Sequence, residues 1–268
     1  MYKFQVYFQN VTSFIKSGFV LVVLTVCSAL LAISAQASED VSAMLKQADQ
    51  YRLDQESAKI VSVVRLYQGG ELDKTQKYHV YSRPERESLV VFKSKVEAGQ
   101  KMLMLEDNYW LVMPKSRRPI RITPMQKLLG EASVGDISTL TWSEDYQGTL
   151  IASESIETET GKPAQAIKLH LVSTTKGASY HKIDLWITED NYFPIKADLY
   201  LRSGKMAKQA RFEQGKRNGQ LAVTAMTLQD SIQPSKKTVI EYQSITQVEL
   251  EDKYYNPSYL VRNTVSEL

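Results

Sequence analysis

Three consecutive stretches of strict apolar–polar alternation constrain this chain more than any other feature. Ile167, Leu169 and Leu171 alternate with Lys168 and His170. Ile183, Leu185 and Ile187 alternate with Lys182, Asp184 and Thr188. Ile195, Ala197, Leu199 and Leu201 alternate with Lys196, Asp198 and Arg202. Successive side chains of a strand point to opposite faces, so each stretch predicts a strand with one apolar and one wet face. Turn residues separate them at Lys176-Gly177, Asp190-Asn191, Ser203-Gly204 and Asn218-Gly219, which makes a meander of short antiparallel strands.

The same period extends to both sides. Residues 60–66 run into Gly69-Gly70 and resume at Lys77–Tyr81, a hairpin pattern. Further strands are expected around 88–93, 101–105, 109–113, 221–229 and 238–249. Three segments read as helical. Val41, Met44, Leu45, Ala48 and Tyr51 recur at helical spacing over 40–52. Thr123-Pro124 followed by Gly130 predicts a short helix, with an irregular stretch and a turn of helix after Asp136 beyond it. Asn256-Pro257 caps a helix through Arg262. The fold class is therefore mainly β with a few helices: one strongly curved antiparallel sheet of about ten strands. A sheet of that size curls or closes, and helices too few to cover its outside lid the concave face. Such a cavity suits an acyl chain. Its expected wall residues are Leu103, Leu105, Trp110, Ile183, Leu185, Ile187, Leu199 and Leu201.

The N-terminus has a different character. Lys3 and Lys16 are the only charges before Glu39, residues 18–33 are apolar, and Ala35-Gln36-Ala37 follows. This is the layout of a secretory signal peptide cut after Ala37, giving a domain division of 1–37 and 38–268 and a periplasmic destination. Cys27 is the single cysteine. The bulky Val26 before it argues against acylation there, so the mature chain is expected to be free of cysteine and disulfides. Removing 37 of the 268 residues leaves 231, with 31 basic and 30 acidic side chains. Such a balance does not provide the concentrated basic face that nucleic acid requires.

Catalytic signatures are missing: there is no G-x-S-x-G elbow, no H-E-x-x-H and no cysteine pair. His79, His170 and His181 read as strand histidines, and no cofactor or metal is expected. Lys115, Arg117, Arg118 and Arg121 make a locally basic loop, either a solvated hairpin end or a contact for a phosphate head group or an acidic partner.

Residues 99–105 (GQKMLML), 108–114 (NYWLVMP), 116–122 (SRRPIRI), 126–130 (QKLLG) and Gly135-Asp136 resemble the outer-membrane lipoprotein-sorting protein family, the LolA-like proteins, in its longer branch. The resemblance implies a half-open β-barrel with helices over its mouth that carries acyl chains of lipoproteins or lipids toward the outer membrane. It also implies an arginine that latches the helical lid. Arg83-Pro84 stands in the corresponding place, with the helix at 124–129 or the first helix as its partner. Members of this branch are often associated with inner-membrane exporters of the resistance-nodulation type, which makes an accessory exporter subunit the alternative. An outer-membrane barrel and a periplasmic enzyme are lesser alternatives.

Overall fold

The computed structural model describes residues 40–268 except 55, 140, 159–160, 231–232, 234 and 266. The expected signal peptide, Cys27 and the cut after Ala37 lie outside the described residues.

Thirteen strands form one antiparallel sheet in the order β6-β5-β4-β3-β2-β1-β15-β14-β13-β12-β11-β10-β9. The first strand, β1 (Ala58–Gln68), is central and pairs with the last, β15 (Lys236–Gln247). From β1 the chain meanders outward through β2 (Glu71–Arg83), β3 (Glu87–Phe92), β4 (Lys101–Leu105) and β5 (Asn108–Val112) to the edge strand β6 (Ile120–Ile122). It then crosses to the opposite edge and returns through β9 (Tyr146–Glu157), β10 (Pro163–Ser173), β11 (Lys182–Thr188), β12 (Pro194–Tyr200), β13 (Met206–Arg217) and β14 (Gln220–Gln229). Every neighbour in this order except β1–β15 is also a neighbour in sequence, so short connections fix every pairing but that one.

Thirteen strands rather than about ten reflects three that lack alternation. β6 has only three residues, and β9 is exposed along most of its length because it pairs with β10 alone. β13 ends in the polar run EQGKR.

The crossover corrects one expectation. Residues 124–129 form no helix; a turn leads into a small hairpin, β7 (Lys127–Leu129) with β8 (Ala132–Ser133). The carbonyls of Pro124 and Gln126 accept from the N–H groups of Gly135 and Val134, at 2.9 Å each, so they are spent on a return strand. Gly130 makes that return possible. Its φ is +55°, and a Cβ there would stand 2.3 Å from Thr238 Oγ1.

Three helices complete the fold. Residues 40–50 form α1. α2 (Val134–Ser138) opens on a capping box in which Ser133 and Asp136 bond reciprocally. α3 (Pro257–Arg262) is capped by Asn256, whose side chain accepts from Ser258 and Tyr259. The C-terminal segment, from the 3-10 turn Asp252–Tyr255 onward, covers one face of β2–β5. There Tyr81, Leu89, Leu103 and Val112 pack with Tyr255, Leu260, Val265 and Leu268. Each fully buried leucine there contributes roughly 1.5–3 kcal/mol.

Candidate functional site

α1 ends against the crossover, and two charged residues near that end hold it there. Asp49 is buried, and its carboxylate accepts from Trp142 N at 2.7 Å and Ser143 N at 2.8 Å. Burial pushes the Asp49 carboxyl up to about 6, against the opposing pull of these N–H groups and Arg52. Arg52, also buried, lies 4.2 Å over the Trp142 ring and points Nη2 at the Thr139 carbonyl at 3.5 Å. Thr139 is the C-cap of α2, so a guanidinium meets a helix-end carbonyl. Trp142 in turn packs edge-on to Phe212 of β13 at 5.5 Å.

α2 is anchored separately. The buried Asp136 accepts from Ser133, from Tyr180 Oη at 2.7 Å and from Lys208 Nζ at 2.8 Å. Burial works to raise its carboxyl, but Lys208 and these hydrogen bonds outweigh burial and hold it below the usual carboxylate range. Lys208 also donates to the Glu131 carbonyl.

A third tie joins the crossover to the strand turns. Arg86, in the turn between β2 and β3, lies 2.7 Å from Asp145 and 3.0 Å from Asp107. Asp107, in the β4–β5 turn, accepts from Gly177 N at 2.8 Å. Tyr109 Oη donates to the Gly177 carbonyl at 3.0 Å. Gly177 is required by proximity, since a Cβ there would stand 2.7 Å from Asp107 Cα.

Between α1, the β2–β3 turn and the β13–β14 turn opens a cleft of about 860 Å³, lined among others by Gln47, Tyr51, Arg86, Met104, Thr139 and Arg217. Its lining mixes polar and apolar groups. Between Trp142, Phe212, Ile183, Leu199 and Met226 lies a cavity of only about 40 Å³. A drug-sized ligand needs several hundred Å³, so this void is too small for one as it stands.

The residues expected to wall a cavity fall into separate groups. Ile183 and Leu199 are cross-strand partners and line the small void; Leu185 and Ile187 are fully buried on the same strand, β11. Leu103, Leu105 and Trp110 instead pack with the C-terminal segment. On β4 it is Met104 that faces the crossover, with its sulfur near the hydroxyls of Ser138 and Thr139. Leu201 lies apart, on a pocket of about 230 Å³ with Met125 and Met206. Lys115, Arg117 and Arg118 are exposed, and Arg121 stacks 4.6 Å over Trp110 and donates to Asn108.

Arg83, the expected latch, lines the cleft with Gln47 and Tyr51. It pairs with Glu87 and Asp252, each at 2.6 Å, and lies 3.7 Å over the Tyr255 ring. These contacts hold the C-terminal 3-10 turn. A guanidinium directed at a helix-end carbonyl is found instead at Arg52, which the sequence did not single out. Its signal was an arginine just past the last apolar position of an amphipathic helix.

Known proteins share this architecture. A family model whose description reads "Uncharacterized protein" matches residues 84–262. No curated protein matches the chain. Among solved structures, the chain is similar to a LolA superfamily protein from Nitrosomonas europaea. The two share 27% identity and a TM-score of 0.73, over 81% of this chain and 97% of that one. A DUF1329 family protein from Desulfovibrio piger shares the fold at 22% identity and a TM-score of 0.66, over 84% and 99%. A putative outer membrane lipoprotein-sorting protein domain from Vibrio parahaemolyticus shares it at 20% identity and 0.63, over 81% and 98%.

Proposed function

The chain belongs to the LolA-like family, in the group whose model it matches over residues 84–262, and from that membership we propose that it is a periplasmic carrier, not an enzyme. In this reading it binds the acyl chains of a lipoprotein or lipid and moves them toward the outer membrane. Residues 1–37 are its signal peptide, cut after Ala37, and 38–268 its carrier domain.

The observation that carries the proposal is the hydrogen bond between Asp107 and Gly177. Asp107 lies in the β4–β5 turn, near one end of the strand order, and Gly177 in the β10–β11 turn, near the other. Strands are spaced about 4.8 Å apart, so a flat sheet would separate these turns by roughly 40 Å. Their contact supports a sheet curled into a half-open barrel, with α1 and α2 as the lid over its concave side. Ile183, Leu185, Ile187 and Leu199 then face an interior that Trp142 and Phe212 occupy when the carrier is empty. The exposed Lys115, Arg117 and Arg118, together with Arg121, form the surface for a membrane head group or a partner, either the inner-membrane exporter or the outer-membrane acceptor. Leu103, Leu105 and Trp110 hold the C-terminal segment on the outside.

Binding of a fluorescent fatty-acid analogue tests the reading. Saturable binding is expected, and Leu185→Asp should abolish it in protein whose circular dichroism is unchanged. Native mass spectrometry of protein taken from its own periplasm should show a non-covalent adduct of acyl mass. Absence of both sinks the carrier reading.

A further inference from the structure

Three buried polar atoms have no hydrogen-bond partner among the described residues: Nε of Arg217, which lines the cleft, Nε of Arg52, which lines the small void, and the hydroxyl of Tyr242. They come from different elements, the end of α1, the end of β13 and the middle of β15, yet they meet. Arg217 Nη2 approaches the carbonyl of Tyr51, the residue before Arg52, at 3.3 Å. Burial pushes the Tyr242 phenol up, and the charges of Arg52 and Arg217 pull against it. The other Arg217 contact is also long, 3.5 Å from Nη1 to the Val223 carbonyl. Buried donors are ordinarily satisfied, and three orphans in one place mark a receptor for an acceptor that the protein does not itself supply.

The nearby carboxylates do not fill that role. Asp49 spends its oxygens on Trp142 and Ser143. Glu87 is held by Arg83, and Glu144 accepts from Thr141. Asp54 stands 3.9 Å from Arg217, beyond hydrogen-bond reach, with its side chain one-third exposed. Asp54 is thus a placeholder that can swing into water when a better acceptor arrives. A guanidinium fork matches the two oxygens of a carboxylate or phosphate, and a phenol donor adds a third point.

We infer that Arg217, Arg52 and Tyr242 bind the oxyanion, carboxylate or phosphate, at the polar end of an amphiphilic cargo whose chain enters the interior beside Trp142. The inference rests on the carrier reading and adds the chemical class of the cargo: an acidic amphiphile rather than a neutral one.

Titrations of the full mature protein with sodium palmitate, hexadecanol and inorganic phosphate test it. Palmitate should bind at least about tenfold more tightly than hexadecanol, the worth of one charge-assisted hydrogen bond. Arg217→Gln should remove most of that gap by weakening palmitate and leaving hexadecanol unchanged. Tyr242→Phe deletes a single hydroxyl and should narrow the gap in a protein as well folded as the parent, so it decides the matter if Arg217→Gln does not fold. Equal binding of palmitate and hexadecanol overturns the head-group site and leaves the carrier reading standing. Binding of neither overturns both. If inorganic phosphate raises the thermal midpoint while palmitate and hexadecanol bind alike, the site holds a free oxyanion and the amphiphile assignment falls.

Discussion

The Arg86 guanidinium lies 2.7 Å from the Asp145 carboxylate, which joins the turn between β2 and β3 to the segment leading into β9. β3 and β9 stand near opposite ends of the strand order. Asp145 is almost fully buried and Arg86 largely so, with side-chain exposures of 3% and 14%. Arg86→Met would leave Asp145 buried without its cation, which costs about 3 kcal/mol or more. In a domain of this size that lowers the thermal midpoint by roughly 10 °C. The charge-removing pair Arg86→Met with Asp145→Asn should recover part of the loss. Calorimetry of the single and double variants measures the coupling. If each single change costs under about 0.5 kcal/mol, the tie contributes nothing.

Gly177→Ala tests the same junction from the other side. The Gly177 backbone is not in the left-handed region, so alanine brings no conformational strain, only a Cβ 2.9 Å from Arg86 Nη2 and 2.7 Å from Asp107 Cα. Overpacking of this kind costs about 1–3 kcal/mol. Urea unfolding should show it as a lower midpoint at unchanged slope. Gly204→Ala is the control, where nothing stands within 4 Å but φ is +81°.

Asp49 makes the stability of the fold sensitive to pH. Its carboxyl is raised by burial from 3.8 to about 6, so the folded protein holds this proton more tightly than the unfolded chain. The resulting stabilisation is fully present below about pH 4 and is lost as pH rises through about 6. A carboxyl raised that far contributes about 3 kcal/mol while its proton is retained. Asp136 and Asp107 are lowered and act in the opposite sense, contributing above the ordinary carboxylate range and losing that contribution in acid. The comparison must therefore be made against Asp49→Asn. The stability advantage of the parent over Asp49→Asn should shrink between pH 4 and pH 7. An advantage that grows with pH means Asp49 works as an ionised acceptor despite its burial.

Legibility followed the range of the interactions. β10, β11 and β12 could be read because their pattern is local: one face meets the core and the other meets water. The turn at Gly69-Gly70 and the Asn256 cap are local too. β9 could not, since an edge strand that buries little carries no alternation. Residues 124–129 looked helical because Thr123, Pro124 and Gly130 are helix punctuation, yet the carbonyls of Pro124 and Gln126 go to residues 134–135. The site was least legible. The partners of Arg52 lie 87 and 90 positions away, and those of Arg86 lie 21 and 59 away. No spacing rule connects such positions. Arg83 drew attention through the proline beside it, while its actual partner Asp252 comes from the end of the chain.

If the chain carries an acyl cargo as proposed, Trp142 is the residue that cargo must displace. The interior beside it holds only about 40 Å³, while the indole, gripped between Arg52 and Phe212, occupies the space an acyl chain would need. Trp142→Ala would empty that space. A large aromatic replaced by alanine in a core costs about 3–5 kcal/mol, so the variant should melt well below the parent. A ligand that fills the vacancy recovers that loss, and ligand binding to the folded state raises stability in proportion to the logarithm of occupancy. Palmitate should therefore raise the midpoint of Trp142→Ala more than it raises that of the parent, which must first expel its own indole. In a Trp110→Phe, Trp186→Phe background, where Trp142 is the one remaining tryptophan, palmitate should shift the emission as the ring leaves its buried position. Equal midpoint shifts in parent and variant, with unchanged emission, would place the acyl chain elsewhere in the molecule.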